Sequence, residues 1–248
     1  MDFLFKIDSL SAGYGNDIVL KDVRLTVNRN DFVGVIGPNG GGKTTLLKVI
    51  LGLIKPFKGT IDFNYTFLRQ NRIGYLPQMS AGDNTFPVTV SDVILSGLMI
   101  QKGIVARMSG EDREKAKIVI DELGLTGIER SPLTEISGGQ LQRVFLGRAI
   151  IGDPALLLLD EPDNFVDTTF ENDFYEKLHQ LNERMAILMV SHDVGTISSH
   201  VKSFACVNRK LHYHPSPVIT NEQLSAYDCP IQLVTHGRVP HTVLEKHD

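Results

Sequence analysis

The chain has 248 residues, two cysteines and a net charge of −4. That length suits one large domain, or a core with an inserted unit, and buries a core without cross-links. The charge excludes a globally basic nucleic-acid surface, and Cys206 and Cys229, which form no CxxC pair, speak against a disulfide framework or zinc knuckle and for a reducing compartment.

The opening residues Met1-Asp2-Phe3-Leu4-Phe5-Lys6 lack a basic region followed by a long apolar run, so no signal peptide is expected. No apolar stretch is long enough to span a bilayer, so a membrane process would be served from the soluble side. Phe3 to Ile7 alternates in part, and Val19 to Val27 alternates through Leu20, Val23, Leu25 and Val27; both predict strands. Phe32-Val33-Gly34-Val35-Ile36 is a continuous apolar run, the pattern of a strand buried on both faces. A glycine-rich loop follows it. Thr44 to Leu53 predicts a helix, weakened at Gly52 and barred from continuing by Pro56. Arg72 to Leu76 predicts a short strand.

From about Val88 to Ile151 the period becomes helical, with segments Ser91 to Leu98, Gly110 to Leu123 and Gly138 to Ile151. Glu111, Asp112 and Glu114 favour the positive start of the second segment. This block reads as an inserted helical subdomain between residues 1–87 and 152–211. Ala155 to Leu159 and Ala186 to Val190 predict two further buried strands, with helices at Phe170 to Asn182 and Val194 to His200. Residues 212–248 read as a C-terminal extension bearing prolines and histidines. Strands alternating with helices predict an α/β fold with a parallel sheet and right-handed crossovers.

Three motifs carry chemistry. Gly37-Pro38-Asn39-Gly40-Gly41-Gly42-Lys43-Thr44, followed by Thr45, has the spacing of a phosphate-binding P-loop between a buried strand and a helix. Its glycines let backbone N–H groups turn towards phosphate oxygens, and the helix start adds partial positive charge. Lys43 supplies a full charge, and Thr44 a hydroxyl for Mg²⁺. In the second motif, a leucine strand delivers Asp160 and Glu161 at its C-terminal end, where ligands bind in such sheets. Asp160 can orient Mg²⁺ and Glu161 can accept a proton from an attacking water. In the third, Ser137-Gly138-Gly139-Gln140 reads as a helix N-cap and a second anion site.

Ser137-Gly138-Gly139-Gln140 followed by Leu141-Gln142-Arg143 resembles the signature of ABC ATPases, and the resemblance spans roughly Phe3 to Arg209. It implies a P-loop core with an N-terminal antiparallel β subdomain and the inserted α-helical subdomain. It implies that Tyr14 stacks on adenine and that Gln78 senses Mg²⁺ and the lytic water. By the same resemblance Asp167 lies in the loop after the second motif, where it also suits a helix N-cap, and His192 contacts the γ-phosphate. Two copies would face head to tail and trap two ATP molecules, each site combining one chain's P-loop with the other's Ser137–Gln140. Integral-membrane permease subunits would be partners, with a docking groove expected around Phe86 to Val93, on the cytoplasmic face of the membrane.

Three positions depart from the family pattern. Gly41 stands where a small hydroxylated residue or alanine is common, so a less rigid loop is expected. Ile136 replaces leucine, a mild swap, and Asp163 adds negative charge near the metal. Ile187 to Asp193, Cys206 to Lys210, Cys229-Pro230 and His236-Gly237 look like ATPases of zinc, manganese or iron importers, which implies an extracytoplasmic metal-binding protein as an indirect partner. The alternatives are another solute, export, or a non-transport ABC ATPase; a single cassette without a long heptad insertion argues against the last. His212 and His214, with His236, His241 and His247 beyond them, are solvated surface histidines or a regulatory metal site.

Overall fold

The computed structural model describes residues 3–66, 68, 73–78, 87–103, 107–162, 168–220, 231–235 and 240–244. Asp163, Asp167, Phe86, Arg72, Cys229-Pro230, His236-Gly237 and His247, all singled out by sequence, lie outside the described residues. Strands β1 (Phe3–Tyr14) and β2 (Asp17–Asn28) form an antiparallel hairpin, and β4 (Lys58–Phe63) pairs with the other edge of β1. β1 runs past the expected Ile7 because bulges around Ser9, at φ 47°, interrupt the alternation without ending the ladder.

The second sheet has the order β5 (Ile73–Leu76), β6 (Leu156–Asp160), β7 (Ala186–Val190), β3 (Phe32–Ile36), β8 (Ser203–Asn208), β9 (Lys210–His214). All neighbours are parallel except β9, which runs antiparallel to β8. The fold is thus mixed α/β, with an antiparallel sheet beside a mostly parallel one, as the sequence led us to expect. His212 and His214 belong to β9 and not to a separate tail. His214 is buried, and its Nε2 lies 2.9 Å from the Val218 carbonyl oxygen, so it is not a solvated histidine. Among the described residues no group of three or more His, Cys, Asp or Glu side chains is arranged to hold a metal ion. A hairpin of β10 (Ile231–Thr235) and β11 (Pro240–Leu244) follows.

Helix α1 (Lys43–Ile50) follows β3 and stops three residues short of the expected end. Between β5 and β6 come α2 (Val90–Ser96), α3 (Met99–Lys102), α4 (Gly110–Glu122) and α5 (Gly138–Ile150). Thr89, Ser109 and Ser137 each close a capping box, with Asp92, Asp112 and Gln140 three residues on. Asp112 also pairs with Lys102 at 2.7 Å, tying α3 to α4. Helix α6 (Thr168–Asn182) precedes β7, and α7 (Val194–Ser198) follows it.

The mostly parallel sheet separates two cores. Phe32, Ile36, Leu157, Leu159, Ile187 and Met189 join the helices of α2, α4, α5 and α6. Val33, Val35, Leu156, Leu158, Leu188 and Val190 join α1 and the antiparallel sheet. Each fully buried Leu, Ile or Phe contributes roughly 1.5–3 kcal/mol. The sheet is therefore anchored on both faces, and the loops at its C-terminal edge are carried on a rigid base.

Candidate active site

β3 lies between β7 and β8, both later in the chain, so the strand order reverses around it. Crevices at such reversals, outside the C-terminal strand ends, are where α/β sheets bind ligands. β3 ends there in the Gly37–Thr44 loop. Gly42 caps α1 at φ 106°, a left-handed conformation that side chains with a Cβ rarely adopt. Gly41 is held from two sides, donating to Pro38 O and accepting from Arg209 N, both at 3.0 Å. A Cβ there would sit 2.7 Å from Val207 O and 2.9 Å from Pro38 O. Two hydrogen bonds and close approach to the end of β8 hold the Gly41 backbone in place.

Lys43 is buried and donates to Gly37 O at 2.9 Å and Pro38 O at 3.1 Å, so the ammonium stands across the mouth of the loop. Thr45 is buried beside it. The Thr44 hydroxyl donates to Asp160 Oδ1 at 3.2 Å, which joins α1 to the end of β6. The Tyr75 hydroxyl reaches Asp160 Oδ2 at 3.5 Å from β5. Burial pushes the Asp160 carboxyl above its usual range, the Thr44 hydroxyl opposes this, and the neighbouring Glu161 charge adds to it. Burial, then the Asp160 charge, raises the Tyr75 phenol to about 12. A hydroxyl beside a buried carboxylate is a hard-oxygen donor set, the kind Mg²⁺ prefers.

Glu161 sits at φ 48°, unusual for a residue with a side chain. Its N–H donates to Val190 O at 3.0 Å, and its carboxylate accepts from Gln78 Nε2 at 2.7 Å. This hydrogen bond brings the segment after β5 against the end of β6. Ser191, fully buried, donates its N–H to Val35 O at 3.2 Å and accepts from Asp193 N at 3.0 Å. The turn carrying the exposed His192 is thereby fastened to the end of β3, where the loop begins.

Tyr14 is half exposed at the tip of the β1–β2 hairpin. Lys21 N donates to Arg209 O at 2.6 Å, and Leu20 lies where a Cβ on Gly42 would point, so β2 rests against the loop. Ser137–Gln140 begins α5: the Ser137 hydroxyl accepts from Gln140 N, and Gln140 Oε1 accepts from Ser137 N. Hydrogen bonds thus join Thr44 with Asp160 and Gln78 with Glu161, while among the described residues none joins Ser137–Gln140 to that set.

Two contributors escape the sequence reading. Tyr75 looks like one more apolar strand residue. Gln142, 1% exposed, donates Nε2 to Pro162 O at 2.5 Å. Its signal was legible: a polar side chain on the apolar stripe it shares with Leu146 and Ile150.

The sequence model of the family described as ABC transporter matches residues 20–164. A Thermotoga maritima protein named "Probable metal transport system ATP-binding protein" is 35% identical over 245 residues, covering 96% of this chain and 97% of the relative. The "Zinc uptake system ATP-binding protein ZurA" of Listeria monocytogenes serovar 1/2a is 35% identical over 218 residues, 85% of each chain. Among solved structures, the one described as "An inward-facing conformation of a putative metal-chelate type ABC transporter" superposes with a TM-score of 0.81 at 25% identity, covering 98% of this chain and 96% of that one.

Proposed function

This chain belongs to the ABC transporter family as one of its ATP-hydrolysing subunits, and on that footing we propose that it powers uptake of a metal ion, zinc or manganese before iron, through separate integral-membrane permease subunits. The observation that carries the cargo reading is the end-to-end similarity to a metal transport ATP-binding protein, supported by the zinc uptake relative. An extracytoplasmic metal-binding protein would deliver the cargo, and the chain would work at the cytoplasmic face of the membrane as a homodimer, with no nucleic-acid partner. No helix among the described residues is long and apolar enough to cross a membrane.

In this reading residues 88–151 form a helical subdomain set on a core of residues 1–87 and 152–211. Gly37 to Thr45 cradle the phosphates, with Lys43 turned from loop carbonyls to phosphate oxygens, and Tyr14 stacks on adenine. Thr44, Asp160 and Gln78 would hold Mg²⁺, directly or through water; when bound, it neutralises charge on the phosphate oxygens. Glu161 accepts the proton of the attacking water, Gln78 orients its carboxylate, and His192 steadies the γ-phosphate. Ser137, Gly138, Gly139 and Gln140 of a second copy close the site with a helix start, which favours an anion. Asp167 belongs to the loop at that dimer contact.

A groove of about 870 Å³ supports the permease partner. It runs between the end of α1 and the start of α3, lined by Leu53, Tyr65, Gly97, Met99 and Arg148. Leu53 and Tyr65 are mostly exposed, and Met99 over a third, an apolar surface that suits a helix of a membrane partner. Val93 of the expected Phe86–Val93 groove lies in α2, whose C-terminal end borders this one.

Uptake of radiolabelled zinc and manganese by cells with and without the subunit tests the function. Loss of one metal's uptake, restored by the parental chain, is the expected result; unchanged uptake of both would overturn the metal reading. Leu53→Asp with Met99→Asp should keep ATP hydrolysis by the purified chain yet fail to restore uptake.

A further inference from the structure

The first turns of α5 join two places that the proposed dimer separates. Its N-terminus carries Ser137–Gln140, directed in that reading at the partner's nucleotide. Five residues after Ser137, the Gln142 side chain is enclosed and donates Nε2 to the carbonyl oxygen of Pro162 at 2.5 Å. Pro162 is buried too, and directly follows Glu161. Having no N–H, Pro162 offers only its carbonyl as a backbone handle. The next residue adds a second tether: Arg143 Nη2 pairs with Asp173 on α6 at 3.3 Å, and Nη1 donates to Leu123 O at 3.5 Å. Consecutive residues of α5 therefore grip the chain just after Glu161 and the helix beyond. From the opposite side Glu161 is held through Val190 O and Gln78. Its left-handed backbone makes carboxylate direction sensitive to where Pro162 sits.

We propose that Gln142 is a positioning residue that couples the two ATP sites of the dimer. Closure of Ser137–Gln140 over the nucleotide of one chain moves α5, and the Gln142–Pro162 hydrogen bond carries that movement to the backbone that aims Glu161 at the nucleotide of its own chain. The inference rests on the reading that Ser137–Gln140 acts across the dimer.

The purified full chain tests it. Gln142→Met keeps the length and volume of the side chain and removes the donor. Expected are a modestly lower unfolding midpoint, because the Pro162 carbonyl loses its donor, an unchanged ATP affinity, a kcat lower by about tenfold from misdirection of Glu161, and a Hill coefficient for ATP that falls towards unity. Gln142→Glu places a carboxyl against a carbonyl. Burial favours its neutral form, which can donate, so its kcat relative to the parent should recover as pH drops from about 8 to about 6, while that of Gln142→Met stays flat. A folded Gln142→Met with parental kcat and Hill coefficient overturns the proposal, as does a loss matched by an equal loss of ATP affinity. Should Gln142→Met not fold, the pH profile of Gln142→Glu decides, and absence of recovery overturns it. Ser137→Ala separates the two readings. If it retains ATP-driven dimerisation and cooperativity, the trans reading fails; if it loses them while Gln142→Met does not, only the coupling fails.

Discussion

Glu161→Gln is expected to bind ATP as the parent does and to lose turnover by about 10²-fold or more, the usual worth of a positioned general base. The substitution is nearly isosteric, and the new amide still offers a carbonyl oxygen to Gln78 Nε2, which now meets the carboxylate at 2.7 Å. The backbone anchor through Val190 O does not involve the side chain at all. Folding and nucleotide affinity should therefore survive, and the missing property is the ability to take a proton. Single-turnover hydrolysis separates this from slow product release. Near-parental hydrolysis would remove Glu161 from the base role and leave water positioning to Gln78 and His192.

Lys43→Ala should abolish tight ATP binding. Deleting one member of an enclosed charge pair typically costs about 2–5 kcal/mol, or about 30-fold to several thousand-fold in affinity. Lys43 is buried at the mouth of the loop, so the charge is already largely stripped of water and gains most from a phosphate. The variant also leaves the carbonyls of Gly37 and Pro38 without their ammonium donor, so some fall in unfolding midpoint is expected beside the binding defect. Equilibrium binding of a fluorescent ATP analogue reads the effect, and unchanged affinity would contradict the assignment of the loop.

Sequence made the strand before the loop, the loop itself and the helix starts at Gly110 and Ser137 legible, because each has a local cause. Five consecutive apolar residues suit only two-faced burial, and a cap with its partner three residues on is a short-range signal. β4 escaped because Lys58–Phe63 is an exposed edge strand with no apolar run. β8 escaped because its buried Ser203 and Ala205 dilute the hydrophobic pattern. Within the site, Thr44 meets Asp160 across 116 residues and Gln78 meets Glu161 across 83, distances at which no periodicity speaks. Their residue types could be paired in advance by motif resemblance alone. Close approach of Gly41 to Val207 had no signal, since it depends on which strand neighbours β3.

β6 carries a consequence for how this protein can go wrong. Residues 156–159 are four leucines, two facing each core. Slipping the strand by a single residue would exchange those pairs, leucine for leucine, and apolar burial would barely register the error. The carboxylates beyond would register it fully. Asp160 follows Leu156 and Leu158 in alternation, which puts it on the face that α1 occupies and within reach of Thr44; one step out of phase, Glu161 would occupy that face instead. The oily core is thus blind to the frame in which β6 is read, and its punctuation comes from the polar end, where Thr44, Tyr75 and Gln78 accept only one reading. A one-residue deletion among the leucines should yield a protein that looks folded by every bulk measure and turns over nothing.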